Sequence, residues 1–389
     1  MLCGKPYIKL IRINKPFYFF ANFYAAVTNG PAKYAQLIRR LDKKNHRLFV
    51  VTEDAEEPLP ERVIKLPPRP RWLKTTFLTQ IYRNRVFYRF VKERKLPPDT
   101  PLIFNNIISG NTCAVKLPNP VIGFINDDNN LPDSATGKGL LKSRNKTLLR
   151  GLEKKAAHNA DLVVVNSEYL RRRIHQAYGI SLEKLPVLYK GLKIIDNPPP
   201  VRPIIPGQPL KIVFVKSDFV RGGLTDLIQA LFLLPKEIKT ELTVIGVTLA
   251  QFLRKTDYNQ TRLPANIKWE GSQPQAVVHR HLAQCHIFCV PARREALGVA
   301  NMEAMMYRAR VIATDAGGIP EVTDGGHNCF EVPVQSPEKI AVALQKLYAE
   351  PLSETEARAE RGLTYIRENF SEEKAYARLL EIVDSLKDV

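Results

Sequence analysis

Hydrophobic positions in this chain fall into short unbroken runs, separated by longer stretches in which apolar and polar residues recur at helical spacing. In the first half the runs at 48–52, 101–104, 121–125 and 162–165 are too short for helices and too continuous for half-exposed strands. They predict strands covered on both faces, with helices over 33–41 and 140–157 between them. The alternation restarts at 211–215, 242–245, 267–270, 286–290 and 311–314. Strand, helix and parallel strand repeated in this way predict two doubly wound α/β halves, which bind ligands outside the carboxyl ends of their strands.

Proline separates the halves. The run Asp196-Asn197-Pro198-Pro199-Pro200, continued by Pro203, Pro206, Gly207 and Pro209, cannot form helix or central strand and reads as a semi-rigid linker. The expected organisation is therefore a first domain over 1–195, a linker over 196–209, a second domain over 210–370 and a final helix over 371–389. Ser371 is placed to cap that helix, with Glu372 and Glu373 in its first turn.

Charge adds an asymmetry to this picture. Residues 1–200 hold 35 Lys and Arg against 16 Asp and Glu, whereas residues 201–389 hold 23 of each, so the whole net charge of +19 lies in the first half. A nucleic acid, an acidic membrane surface or a phosphorylated glycan would each suit such a half. Between Arg69 and Lys95, the apolar Trp72, Leu73, Phe77, Ile81, Tyr82, Phe87, Tyr88 and Phe90 are interleaved with Arg71, Lys74, Arg83, Arg85, Arg89, Lys92 and Arg94. A segment of that composition can lie on an anionic membrane; an ordinary core-facing helix with solvated arginines is the alternative.

Lys5, Lys9 and Arg12 interrupt the N-terminal apolar residues, and no eighteen-residue apolar run occurs, so neither a signal peptide nor a membrane span is expected. The scattered cysteines, Cys3, Cys113, Cys285, Cys289 and Cys329, read as reduced thiols. Together these features predict a cytoplasmic protein, with the inner face of the cytoplasmic membrane as the surface it would touch.

The chemistry concentrates after the run at 286–290. Pro291-Ala292-Arg293-Arg294-Glu295-Ala296-Leu297-Gly298-Val299 leads into a predicted helix that contains Glu303. A helix entrance at Gly298 and Val299 offers unpaired backbone N–H groups and positive potential to a phosphate, with room for close approach at the glycine. Glu295 before that entrance and Glu303 inside the helix would bracket such an anion and bind hydroxyls on either side of it.

Here the sequence resembles the retaining glycosyltransferases of family 4, whose donor site is marked by a Glu, seven residues and a second Glu. The resemblance continues through Asp315-Ala316-Gly317-Gly318-Ile319-Pro320-Glu321, Gly325-Gly326-His327-Asn328 and Gly271-Ser272-Gln273, covering about residues 210–370 and more weakly the first half. It implies the GT-B fold, in which two Rossmann-like doubly wound domains face each other across a cleft. It also implies transfer of a hexosyl or N-acetylhexosaminyl unit from a nucleotide diphosphate sugar to an acceptor hydroxyl with retention of configuration.

By the same resemblance, Lys216 and Arg221 in Lys216-Ser217-Asp218-Phe219-Val220-Arg221-Gly222-Gly223 would clamp the donor diphosphate, exchanged relative to the family's Arg and Lys. Glu295 would hold the donor sugar and Glu303 the ribose. Gly30, in Thr28-Asn29-Gly30-Pro31-Ala32-Lys33-Tyr34, would stand in the glycine-rich loop after the first strand, lining the acceptor side of the cleft; a plain turn with an Asn-Gly helix entry is the alternative. Asn126 and Asp127 would occupy the place of a His-Asp pair that contacts the transferred sugar, although Asn126 cannot carry a proton. Arg308 and Arg310 depart from the small residue and proline expected before residue 311.

No His, Cys or Asp cluster has metal spacing, and the resemblance implies neither metal nor cofactor. The resemblance implies a nucleotide sugar as partner; charge and the basic aromatic stretch add an anionic lipid-linked or phosphorylated glycan such as a lipopolysaccharide core and an anionic membrane surface, while the dispersed basic residues carry no nucleic-acid-binding signature. An epimerase or phosphorylase on the same scaffold, or a basic nucleic-acid-binding protein, remain the alternatives.

Overall fold

The computed structural model describes residues 16–24, 30–42, 47–70, 72–73, 75–132 and 140–387. Two six-stranded parallel sheets organise the chain. The first is built from β1 (Phe17–Ala21), β2 (Leu48–Thr52), β3 (Val63–Lys65), β4 (Leu102–Phe104), β5 (Val121–Ile125) and β6 (Leu162–Val165). The second contains β7 (Leu210–Val215), β8 (Thr240–Ile245), β9 (Ile267–Gly271), β10 (Ile287–Cys289), β11 (Arg310–Thr314) and β12 (Phe330–Val332).

The sheets run β3-β2-β1-β4-β5-β6 and β12-β11-β10-β7-β8-β9, so each half has the same topology. The strand order reverses between β1 and β4 in the first half and between β7 and β10 in the second. A crevice opens at each reversal because the loops leaving the two strands turn to opposite faces.

Burial explains why the strands read as continuous apolar runs. Along β1, Phe17, Phe19 and Ala21 enter one core while Tyr18 and Phe20 enter another on the opposite face. The first of these cores also takes Leu379, Ile382 and Val383 from the helix Glu372–Asp384. Thus the last helix, capped by the Ser371 side chain as expected, returns to the first sheet.

The chain crosses between the halves at two adjacent points. The Leu192 N–H donates to Phe370 O at 2.8 Å, and the Glu372 N–H donates to Leu192 O at 3.0 Å. The proline-rich stretch carries no helix or strand and packs on the second half: Val201 is buried, and Arg202 O accepts from Arg310 Nη1 at 2.8 Å. Arg310 is therefore no packing defect. It opens β11 as a buried guanidinium that also donates to Thr355 Oγ1 at 3.2 Å, while Arg308 turns out to Glu360.

The basic aromatic segment is corrected in part. Its helix, Thr76–Arg94, buries Phe87, Phe90 and Val91 in the core, and Arg83 with them. Arg83 donates to Glu53 Oε1 at 3.2 Å and to Asn22 O at 2.9 Å, a buried pair unavailable to any membrane. Trp72, Leu78, Arg85, Arg89 and Lys92 stay exposed. Arg71, Lys74, Thr28, Asn29, Cys3 and the basic N-terminus lie outside the described residues. No helix among the described residues is long and apolar enough to cross a membrane.

Leu379 is fully buried between the last helix and the first sheet. Leu379→Ala should therefore cost about 2–5 kcal/mol in urea unfolding, whereas a truncation at the exposed Val342 should stay within about 0.5 kcal/mol.

Candidate functional site

The loops leaving β7 and β10 meet at the reversal point of the second sheet. The first carries Lys216 immediately after β7, and the second runs from Pro291 to Gly298, where the helix Val299–Met306 begins. Lys216 Nζ donates to Glu295 Oε2, a partly buried ion pair that joins the two loops.

Glycines fix the height of that pair. Gly298 adopts φ +100° at the entrance to the helix, a conformation that other residues rarely take. Gly317, at φ +65°, lies so close to the Glu295 carbonyl that a Cβ would come within 1.9 Å of its oxygen. The Gly318 N–H donates to that same carbonyl at 3.0 Å, so the Asp315–Gly318 turn supports Glu295 from below.

Glu303 lies one turn into the helix. Gln275 Nε2 donates to its Oε1 at 3.0 Å, and His279 Nε2 approaches the same oxygen at 3.7 Å. His279 in turn stacks obliquely on Tyr307, whose hydroxyl pKa is raised by burial and by Glu303. Lys216, Val299 and Glu303 line one cleft cavity of about 680 Å³, and residues from both halves complete it: Tyr34, Arg40, Lys190 and Glu372.

A second, smaller cavity of about 160 Å³ opens at the reversal point of the first sheet. Its walls include Asn22, Gln80, Asn105, Asn126 and Asp127. The Asn126 side chain donates to Asn105 O at 3.1 Å, which ties the ends of β4 and β5 together. Glu153 closes the floor, accepting from the Tyr178 hydroxyl and from Asn130 Nδ2, both at 2.7 Å. Burial raises the Glu153 carboxyl to about 7 against the pull of those two bonds.

The halves are joined beside this loop. Asp128 is completely buried, and it accepts from Arg221 Nη2 at 3.2 Å and from Arg294 Nε. Arg294 Nη2 also donates to Asp128 O at 2.8 Å, and Arg221 Nη1 donates to Asn129 Oδ1 at 2.5 Å. A second clasp uses the helix Glu168–Tyr178: its N–H groups at Glu168 and Tyr169 donate to the Glu321 carboxylate at 2.8 and 2.7 Å. Ser167 Oγ donates to Ala296 O at 2.6 Å, beside Glu295.

Comparisons with known proteins agree with this geometry. The family Glycosyltransferase Family 4 matches residues 29–194, and Glycosyl transferases group 1 matches residues 201–364. The chain belongs to glycosyltransferase family 4. It is 27% identical over 190 residues to a lipopolysaccharide core biosynthesis mannosyltransferase of Rhizobium leguminosarum bv. viciae, covering 47% of this chain and 52% of that one. The chain spans about half the length of the curated relatives it matches.

The GT-B architecture is shared with sucrose-phosphate synthase from Thermosynechococcus elongatus, at a TM-score of 0.79 and 16% identity over 96% of this chain and 99% of that chain. An Anabaena protein solved with UDP-glucose superposes at 0.71 with 17% identity, over 95% and 99% of the two chains.

Within this family member, the residues singled out from sequence separate into three places. Lys216, Glu295, Gly298, Val299 and Glu303 cluster at the second reversal point. Asn126 and Asp127 line the first-half pocket instead, and Gly30 opens the helix Gly30–Leu41. Arg221 is engaged by Asp128 and Asn129 across the halves. Sequence reasoning missed Gln275, His279 and Lys190, which reach the cavity from elements without a local signature, while Tyr34, the last residue of the predicted cleft-lining loop, lines it too. It also missed Asp128, although that residue is adjacent to Asp127.

Removing one partner of a buried pair leaves uncompensated charge behind. Asp128→Ala should therefore lower stability by about 3–5 kcal/mol, and Arg294→Ala in the same background should cost much less than it does alone. Urea denaturation of the two single variants and the double variant measures that coupling.

Proposed function

We propose that this protein transfers a hexosyl or N-acetylhexosaminyl unit from a nucleotide diphosphate sugar to a hydroxyl of a growing bacterial surface glycan, with retention of configuration. The observation that carries the reading is that Lys216 and Glu303 line one interdomain cavity, with Glu295 paired to Lys216 beside it. The lipopolysaccharide mannosyltransferase relative and the UDP-glucose complex of the Anabaena neighbour support the substrate classes.

In this mechanism the donor diphosphate lies at the N-terminus of the helix Val299–Met306, where backbone N–H groups and the ammonium of Lys216 stabilise its growing charge. Glu303 accepts hydrogen bonds from the ribose, its Oε1 held by Gln275. Glu295 orients the donor sugar, and its pairing with Lys216 links sugar position to phosphate position.

The bond from the anomeric carbon to diphosphate oxygen breaks as the bond to the acceptor oxygen forms on the same face. The acceptor proton passes to the departing diphosphate, so that no enzymic nucleophile and no metal or cofactor takes part. Clasps between the halves exclude water and suppress hydrolysis.

The acceptor enters from the first half, whose amide-lined pocket suits sugar hydroxyls and whose basic surface suits an anionic, lipid-borne glycan. Trp72, Leu78, Arg85, Arg89 and Lys92 form the face that would meet an anionic membrane, on the cytoplasmic side.

A thermal-shift panel of nucleotide sugars identifies the donor, and the anomeric signal of the product tests retention. Glu303→Ala and Lys216→Ala should each lower transfer at least about tenfold, since each removes a charged hydrogen bond worth about 1.5–3 kcal/mol. Near-normal turnover in a folded Glu303→Ala protein would remove that residue from the site. Asn126→Ala should reduce transfer and leave the fold intact, measured by steady-state rates beside circular dichroism.

The membrane reading predicts sedimentation with anionic liposomes, release by high salt and no binding to neutral ones. Reversing Arg85 and Arg89 to Glu should abolish it. Equal recovery in the supernatant with both liposome types would favour a soluble acceptor.

A further inference from the structure

Arg221 has a structural obligation that competes with phosphate. Two of its donors are committed to Asn129 and Asp128, and Asp128 is fully shielded from water. Turning Arg221 toward a diphosphate would strip a buried carboxylate of one of its two guanidinium partners. Lys216 alone is a poor substitute for a pair of cations, because its ammonium already neutralises Glu295.

Another cation stands at the same cavity. Lys190 lies at the crossing between the halves, just before Gly191 and Leu192, and lines the cleft together with Lys216, Ser217 and Glu303. It is partly buried, and among the described residues its side chain has no hydrogen bond and no ion pair. Burial and the neighbouring Lys216 lower its pKa, while Glu295 and Asp127 oppose that change. Tyr34, at 8% residue exposure, lines the same cavity with its ring, while its buried hydroxyl has no hydrogen-bond partner among the described residues. The ammonium groups of Lys190 and Lys216, on one cavity that Lys193 also lines, are the complement of an anion with several oxygens.

We propose that Lys190, rather than Arg221, is the second cation that holds the donor diphosphate with Lys216. The proposal rests on the donor-site reading above. It makes the crossing segment itself part of the binding site: the diphosphate is gripped by Lys216 from the second half and by Lys190 from the passage between the halves. Arg221 keeps the halves together through Asp128.

Calorimetric titration of the full chain with UDP, GDP, ADP and CDP, and then with the matching nucleoside, tests this. For the diphosphate that binds, Lys190→Gln should weaken affinity at least tenfold and leave nucleoside affinity within about twofold, while Lys190→Arg should stay within about threefold of the parent. Melting temperatures of the variants, unchanged, identify the loss as one of binding. A diphosphate affinity within threefold of the parent in Lys190→Gln overturns the assignment. So does an effect confined to the acceptor KM, which would place an acceptor phosphate there, or an equal loss for nucleoside and diphosphate. If the parent protein binds none of the four diphosphates, the donor reading fails and the proposal falls with it.

Discussion

Everything around the cleft depends on how one buried carboxylate is neutralised. Asp128 leaves the first sheet after β5 and ends between two guanidiniums of the second half, beyond the reach of water. A charge so placed is tolerable only when its partners are fixed, which makes the relative position of the halves a condition of its burial. On its first-half side the same loop is held by Glu153 and by Arg150, whose Nε donates to Asn130 O at 2.7 Å. The loop therefore transmits the position of the first core to the residues beside Glu295, since Arg294 precedes it in the chain.

The second clasp works by a different interaction. Glu321 supplies a carboxylate to the N-terminus of the helix Glu168–Tyr178, where free N–H groups and the helix dipole favour negative charge. The Tyr189 hydroxyl joins them at 2.8 Å, immediately before Lys190. Thus a motif residue that resembles a donor-site element acts here as an interdomain cap. Its effect on the site is to place the crossing segment.

Much of the fold could be read from the chain because parallel strands buried on both faces leave uninterrupted apolar runs; β2, β5 and β6 have the expected bounds. The strands that escaped had other composition or length: β1 is aromatic-rich, Phe17–Ala21, while β3 and β12 have three residues each. The cluster at the second reversal point was legible because Glu295, Gly298 and Glu303 are local in sequence and tied to one strand-loop-helix unit. Lys190 and His279 were not, since each reaches the cavity through tertiary packing, and no spacing records that. Arg221 shows the converse difficulty. Its position in a glycine-rich loop suggested a phosphate contact, and only the placement of Asp128 across the cleft reveals the competing partner.

Specificity of geometry in this cleft follows from what each half can contribute alone. The second half provides a helix entrance, a lysine and two glutamates at its reversal point. The first half provides a pocket dominated by neutral amides, which can hydrogen-bond hydroxyls at modest desolvation cost but has little to hold a diphosphate. Joining them through Asp128 and Glu321 rather than through an apolar face has a chemical consequence. Charged clasps hold only at their designed geometry, whereas apolar surfaces tolerate sliding, so the two pockets are kept in one register. That register brings Lys190 from the crossing segment and Tyr34 from the first half to the cavity that Glu303 lines, and the connection between the domains adds its own cation to that of Lys216.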